Sequence, residues 1–190
     1  MKKSKNSFVL DENKNAVYSS RKDEQGKLQE VEYVLKGEKV IMPQNAEHLL
    51  EFALRAQDVK TKQVLGKCDF VINFDNTVYL VNIKIEDHRF DHLGIGTMLL
   101  YAAENTALDC GVSEMFLMNS PQKGYDDIVN NFYKKNGYTK NRKSKIKLQK
   151  HLEVGPFDFE ICDLSYIKLK KSQKHDVRNN QNANILTKSR

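Results

Sequence analysis

Apolar residues in the first 85 positions recur mostly in short runs that alternate with polar ones, the spacing of half-buried strands. Phe8-Val9-Leu10 is followed by a polar turn from Asp11 to Asn15 and then by Ala16-Val17-Tyr18. A second turn lies at Asp23-Glu24-Gln25-Gly26-Lys27, after which Val31, Tyr33 and Leu35 alternate with Glu32 and Val34. Lys36-Gly37-Glu38 reads as the close of a hairpin onto Val40-Ile41-Met42. Pro43 ends this block, and Asn45 is placed to cap a helix from Ala46 to about Gln57, with Leu49, Leu50, Phe52, Ala53, Leu54 and Ala56 as its apolar side. Gln63 to Phe74 reads as a strand, and Asp75-Asn76 as a tight turn into a second strand, Val78 to Ile85. That second strand has Tyr79, Val81, Ile83 and Ile85 on one face and Val78 and Leu80 on the other. Apolar residues on both faces suit a central strand covered on both sides.

Beyond Gly96 the spacing changes. Ile95, Leu99, Leu100, Ala103, Thr106, Ala107 and Cys110 fall three and four apart, which predicts a helix over Thr97 to Cys110 packed on the sheet. Gly111 follows as a C-terminal cap. Val112 to Met118 then reads as a strand and Asp127 to Asn136 as a helix. Past Tyr138 comes a basic run, then a Gly155-Pro156 turn and a strand-like Phe157 to Leu169. The last twenty or so residues have the composition of a disordered tail.

Composition narrows the class. A chain of 190 residues, 39% hydrophobic and 29% charged, is long enough to bury one proper core. No apolar run approaches the roughly 20 residues that span a bilayer. The basic start, Met1 to Asn6, leads only into Phe8-Val9-Leu10, too short for the apolar region of a signal peptide, so a cytoplasmic location is expected. Cys68, Cys110 and Cys162 are too few and too scattered for a disulfide framework or a zinc site, and the five histidines lack metal-ligand spacing, so no metal is expected. The net charge of +6 is concentrated. Lys140, Arg142, Lys143, Lys145, Lys147 and Lys150 form one basic segment, and Lys170 to Arg190 a second; the remainder is mildly acidic. Nucleic acid is a possible partner of such segments but not the favoured one, because no aromatic residue follows Tyr166 to stack on bases.

One stretch carries candidate chemistry. Asp91-His92-Leu93-Gly94-Ile95-Gly96 stands between the Val78 to Ile85 strand and the following helix. The first N–H groups of a helix lack partners within it and favour an anion, and glycines let a phosphate come close. Further on, Phe132-Tyr133 is followed by Gly137-Tyr138. A Gly-x-Gly loop at a helix start, then a strand, then a helix ending in Phe-Tyr-x-x-x-Gly-Tyr resembles the GNAT superfamily of N-acetyltransferases. The likeness covers about a third of the chain.

The resemblance implies an α/β fold: a central mixed, mostly antiparallel sheet flanked by helices, with splayed strands around a CoA-binding loop. It divides the chain into an N-terminal strand segment (1–43), a GNAT-like core (44–170) and a basic tail (171–190). It implies acetyl-CoA as co-substrate and transfer of its acetyl group to a primary amine, on a small molecule or a protein, by direct attack. His92, Leu93, Gly94, Ile95, Gly96 and Thr97 would hold the pyrophosphate. The strand end at Ile83, Lys84 and Ile85 would pair with the pantetheine arm. Tyr133 stands where many members keep the tyrosine that protonates the CoA sulfur. The resemblance does not fix the base. Glu86, Asp87 and His88 follow the central strand, and Glu86 is the candidate by position.

Three departures stand out. Asp91 replaces the usual Arg or Gln. Asp126, seven residues before Tyr133, replaces an Asn that helps hold CoA. The N-terminal segment reads as strands where most members have one strand and two helices. A catalytically weak acyl-CoA-binding module, or a protein- or RNA-interaction module, is therefore the alternative on the same fold. The acceptor and the oligomeric state are not legible.

Overall fold

Strand pairing in the main sheet follows chain order as far as Met118 and then inverts. The computed structural model describes residues 7–11, 16–42, 47–118, 126–141, 147–153, 157–162 and 166–171. β1 (Ser7–Asp11), β2 (Ala16–Lys22), β3 (Leu28–Ile41), β4 (Leu50–Asp58), β5 (Val64–Ile72) and β6 (Val78–Ile85) form an antiparallel meander. A 3-10 turn (His88–Phe90) and α1 (Ile95–Asp109) lead to β7 (Glu114–Met118), which joins β6 in parallel. α2 (Asp126–Lys135) precedes β8 (Thr139–Lys140) and β9 (Lys147–His151); β9 lies between β7 and β8. β10 (Phe157–Cys162) and β11 (Tyr166–Lys171) make a separate antiparallel ribbon. The expected mixed, mostly antiparallel sheet with helices packed on it is what forms.

Four expectations are corrected. Residues 50–57 of the expected helix lie in a strand, β4. Phe52, Leu54 and Ala56 point into the core, whereas Ala53, Arg55 and Gln57 do not. This is a period of two, and Leu49, counted on the helical stripe, is 38% exposed. No hairpin closes at Lys36-Gly37-Glu38. β3 runs straight through, with Gly37 opposite Leu54, because two-residue alternation continues from Val31 to Gly37. Phe157 to Leu169 is two strands rather than one. Lys147–His151 is a strand that the basic run concealed: only Leu148 is fully apolar, and it sits opposite Leu117. The expected tail beyond Lys171 lies outside the described residues.

The turns behave as their residues dictate. Gly26 (φ 81°) closes β2 onto β3, and Asn76 (φ 64°) closes β5 onto β6. β3 begins to pair with β4 only at Tyr33, opposite Asp58. The hairpin of β2 with the first residues of β3 therefore overhangs the end of β4.

One face of the sheet carries the core. Cys68, Phe70, Leu54, Val78, Leu80 and Met115 face α1, whose Met98, Leu99, Leu100, Ala102 and Ala103 are fully enclosed. α1 crosses β4, β5 and β6, and β10 runs beside it. Gly66 marks a tight approach of the helix to the sheet. A Cβ there would stand 3.1 Å from Leu99 Cδ1, 3.1 Å from the Lys84 carbonyl oxygen and 3.2 Å from Ile85 Cδ1. Gly66→Ala is expected to lower stability by about 1–3 kcal/mol through overpacking, read as a shift of the urea midpoint.

Candidate active site

The site begins with an irregularity in β6. Phe70 of β5 pairs with Leu80, but Asp69 pairs with Asn82, so Val81 is an extra residue, a β-bulge. The bulge exchanges the faces of everything after it. Ile83 and Ile85 consequently join Val78 and Leu80 on the core side, and Val81 is left 61% exposed. This corrects the expected grouping of Ile83 and Ile85 with Tyr79 and Val81. On its other side β6 pairs with β7 only from Val78 to Leu80, opposite Met115 to Leu117. Among the described residues, Val81 to Ile85 have no strand partner on that side. Ile83, Lys84 and Ile85 thus lie on a free strand edge that an extended amide-bearing ligand can extend.

The Gly loop closes the end of that edge. His92 (φ 65°) and Gly94 (φ 78°) both adopt the left-handed conformation, which glycine takes without strain and a histidine does not. Gly94 is the N-cap of α1, and no side chain caps the turn. The first intrahelical bond is Met98 N–H to the Gly94 carbonyl, 3.1 Å. The N–H groups of Ile95, Gly96 and Thr97 therefore have no acceptor within α1, as an anion site requires. Leu93 and Ile95 anchor the loop in the core, each 1% exposed. A Cβ on Gly96 would meet the Phe132 ring at 3.6 Å and Ile85 Cδ1 at 3.9 Å, ordinary contacts. Packing thus does not require a glycine there.

α2 brings Phe132 against this loop at Gly96, with Tyr133 packed edge-on beside it. The motif that ends it is a helix stop. Gly137 (φ 88°) donates to the Lys134 carbonyl, and Tyr138 N–H to the Tyr133 carbonyl at 3.0 Å, a Schellman pair. The accompanying apolar contact is Tyr133 with Tyr138, rings edge-on at 5.6 Å; Phe132 packs edge-on at 5.1 Å from the other side. Tyr133 is 7% exposed, and burial pushes its phenol well above the ordinary value. It therefore stays neutral throughout the physiological range.

Glu86 stands at the surface just past β6. A hydrogen bond from the Lys67 ammonium at 2.7 Å, with Lys84 at 3.4 Å, holds its carboxyl below the usual range. Its backbone N–H is tied to the Leu65 carbonyl at 2.8 Å. Asp87 is gripped by the Arg89 guanidinium at 2.9 and 2.6 Å. Asp126 is the first residue of α2; its side chain, like that of His88, lies outside the described residues. Lys67 is the contributor that sequence reading missed, because nothing local ties a β5 lysine to a carboxylate beyond β6. Lys150, counted in the basic segment, turns inward to Glu104. No cluster of metal-ligating side chains occurs among the described residues, and no helix among them is long and apolar enough to cross a membrane.

No family model matches the sequence, and no curated protein sequence matches it. Solved structures of acetyltransferases do match. The PaiA N-acetyltransferase of Thermoplasma acidophilum, crystallised with coenzyme A, is 22% identical with a TM-score of 0.44, over 52% of this chain and 59% of that one. A GNAT-family acetyltransferase of Staphylococcus aureus Mu50 is 16% identical with a TM-score of 0.47, over 54% and 68%. A Bacillus anthracis protein crystallised with acetyl coenzyme A is 15% identical with a TM-score of 0.46, over 79% and 85%. The chain thus spans 59% of the length of the Thermoplasma protein.

Proposed function

We propose that this protein is an N-acetyltransferase that uses acetyl-CoA and a primary amine acceptor. The observation that carries the reading is the meeting, at one end of β6, of a free strand edge and an uncapped helix start. Each suits a different part of one ligand: the edge suits the amides of pantetheine, and the helix start suits a pyrophosphate.

Acetyl-CoA would supply an acetyl group activated as a thioester. The N–H groups of Ile95, Gly96 and Thr97 hold the pyrophosphate, with His92 to Gly94 shaping the approach. Ile83 to Ile85 hold the pantetheine arm in line. The amine nitrogen bonds to the acetyl carbon as the carbon–sulfur bond breaks. Tyr133, kept protonated by burial, gives its proton to the departing sulfur as the thiolate forms. Glu86, ionised by its lysine partners, attracts the acceptor's ammonium and takes its proton directly or through water.

The test is calorimetric titration of acetyl-CoA into the protein, with desulfo-CoA as control, followed by assay of CoA release over a panel of amines. Micromolar binding with turnover supports the reading. Micromolar binding without turnover favours a cofactor-binding module, and no binding up to millimolar overturns both. Gly96→Ala sharpens the result. Alanine favours the helix over glycine by about 0.5–1 kcal/mol, and its Cβ fits. The variant is expected to melt no lower than the parent yet to bind acetyl-CoA about tenfold more weakly.

A further inference from the structure

We infer that Ser19 is a positioning residue that orients the Leu93–Gly94 peptide so that the Gly94 N–H faces the anion; this rests on the proposed reading of the loop. Ser19 lies on β2, in the hairpin that overhangs β4, and is wholly buried. Its hydroxyl donates to the Leu93 carbonyl across 74 residues of sequence. A trans peptide is planar, with its C=O and N–H on opposite sides. Fixing the Leu93 carbonyl toward β2 therefore turns the Gly94 N–H away from β2. This adds a donor to those of Ile95, Gly96 and Thr97.

The loop has reason to need such a hold. A glycine tolerates either sign of φ, so the peptide between Leu93 and Gly94 can rotate at little cost to Gly94. Rotation would turn its N–H inward and a carbonyl dipole toward the anion. Leu93 is otherwise tied by a 3.3 Å bond from its N–H to the Phe90 carbonyl and by its buried side chain, neither of which fixes its C=O. The neighbouring His92 is already left-handed, a conformation that persists only where surroundings over-determine it. Ser19 thereby makes the N-terminal meander, where this chain departs most from its resemblance, part of the cofactor site.

The experiment compares two thioesters in Ser19→Ala: acetyl-CoA, and acetyl-pantetheine, which lacks the pyrophosphate. The KM for acetyl-CoA is expected to rise about 10- to 100-fold, the worth of one hydrogen bond to a charged group. kcat and the KM for acetyl-pantetheine are expected to stay within about twofold. Ser19→Thr, which keeps the hydroxyl, is expected to restore acetyl-CoA binding, and it carries the test if the alanine variant does not fold. Equal weakening of both thioesters, or none, overturns the inference. A parent protein that binds no acetyl-CoA overturns the reading beneath it instead.

Discussion

Tyr133→Phe is expected to lower kcat by about 10²–10⁴-fold, the usual contribution of a positioned general acid, with acetyl-CoA binding unchanged. The ring remains, so its edge-on contacts with Phe132 and Tyr138 remain, and the melting temperature should move little. Steady-state turnover with any accepted amine, set beside calorimetric binding, makes the separation. The loss should shrink for acyl donors whose thiols are more acidic, since their thiolates leave without a proton. Burial raises the phenol's pKa, so the parent's rate should show no fall assignable to Tyr133 across the neutral range. Unchanged kcat in the variant would return Tyr133 to the core as a packing residue.

The second large effect lies behind the site. Glu104 of α1 is buried, its side chain 4% exposed, with Lys150 Nζ at 2.7 Å and the Tyr138 hydroxyl donating at 3.0 Å. Lys150→Met leaves that carboxylate without its counter-charge and is expected to reduce stability at neutral pH by about 3–5 kcal/mol. Burial raises the Glu104 pKa, and Lys150 partly opposes this. A carboxyl whose pKa is higher folded than unfolded binds protons preferentially in the folded state, so its contribution to stability falls as pH rises. In the parent that fall runs from the ordinary glutamate pKa up to the raised one. Without Lys150 the window extends further upward. The variant's deficit, measured by denaturation across pH, should therefore be small near pH 4 and grow toward neutrality. Glu104→Leu together with Lys150→Met should recover much of the loss, because neither charge is then buried alone.

The features legible in the sequence are those whose chemistry is local. Gly94 and Gly137 each serve a left-handed position beside a helix end, so their helices and the loop between β6 and α1 were legible. Hidden features depend on partners far along the chain. β4 resembled a helix because its two-residue period is interrupted by Ala53, and only its β3 and β5 neighbours fix it as a strand. β9 was obscured because Lys150 spends its charge inside, on Glu104, where a lysine-rich run suggests solvent. The bulge at Val81 cannot be read from β6 alone, since a bulge is a relation between two strands. Nothing local in the sequence marks Ser19, whose acceptor is a carbonyl 74 residues away.

The three-residue ladder between β6 and β7 also bears on the order in which this chain assembles. β1 to β6 arise from successive hairpins whose contacts lie close in sequence, and such contacts form early. β7 reaches β6 only after α1 has crossed the sheet, and it then meets only the first three residues of that strand. The junction of β6 with β7 is the seam between an early part and a later part of the molecule. On the proposed reading, a nascent chain gains its site only once β7 has docked, and bound acetyl-CoA would act as a clasp across that junction.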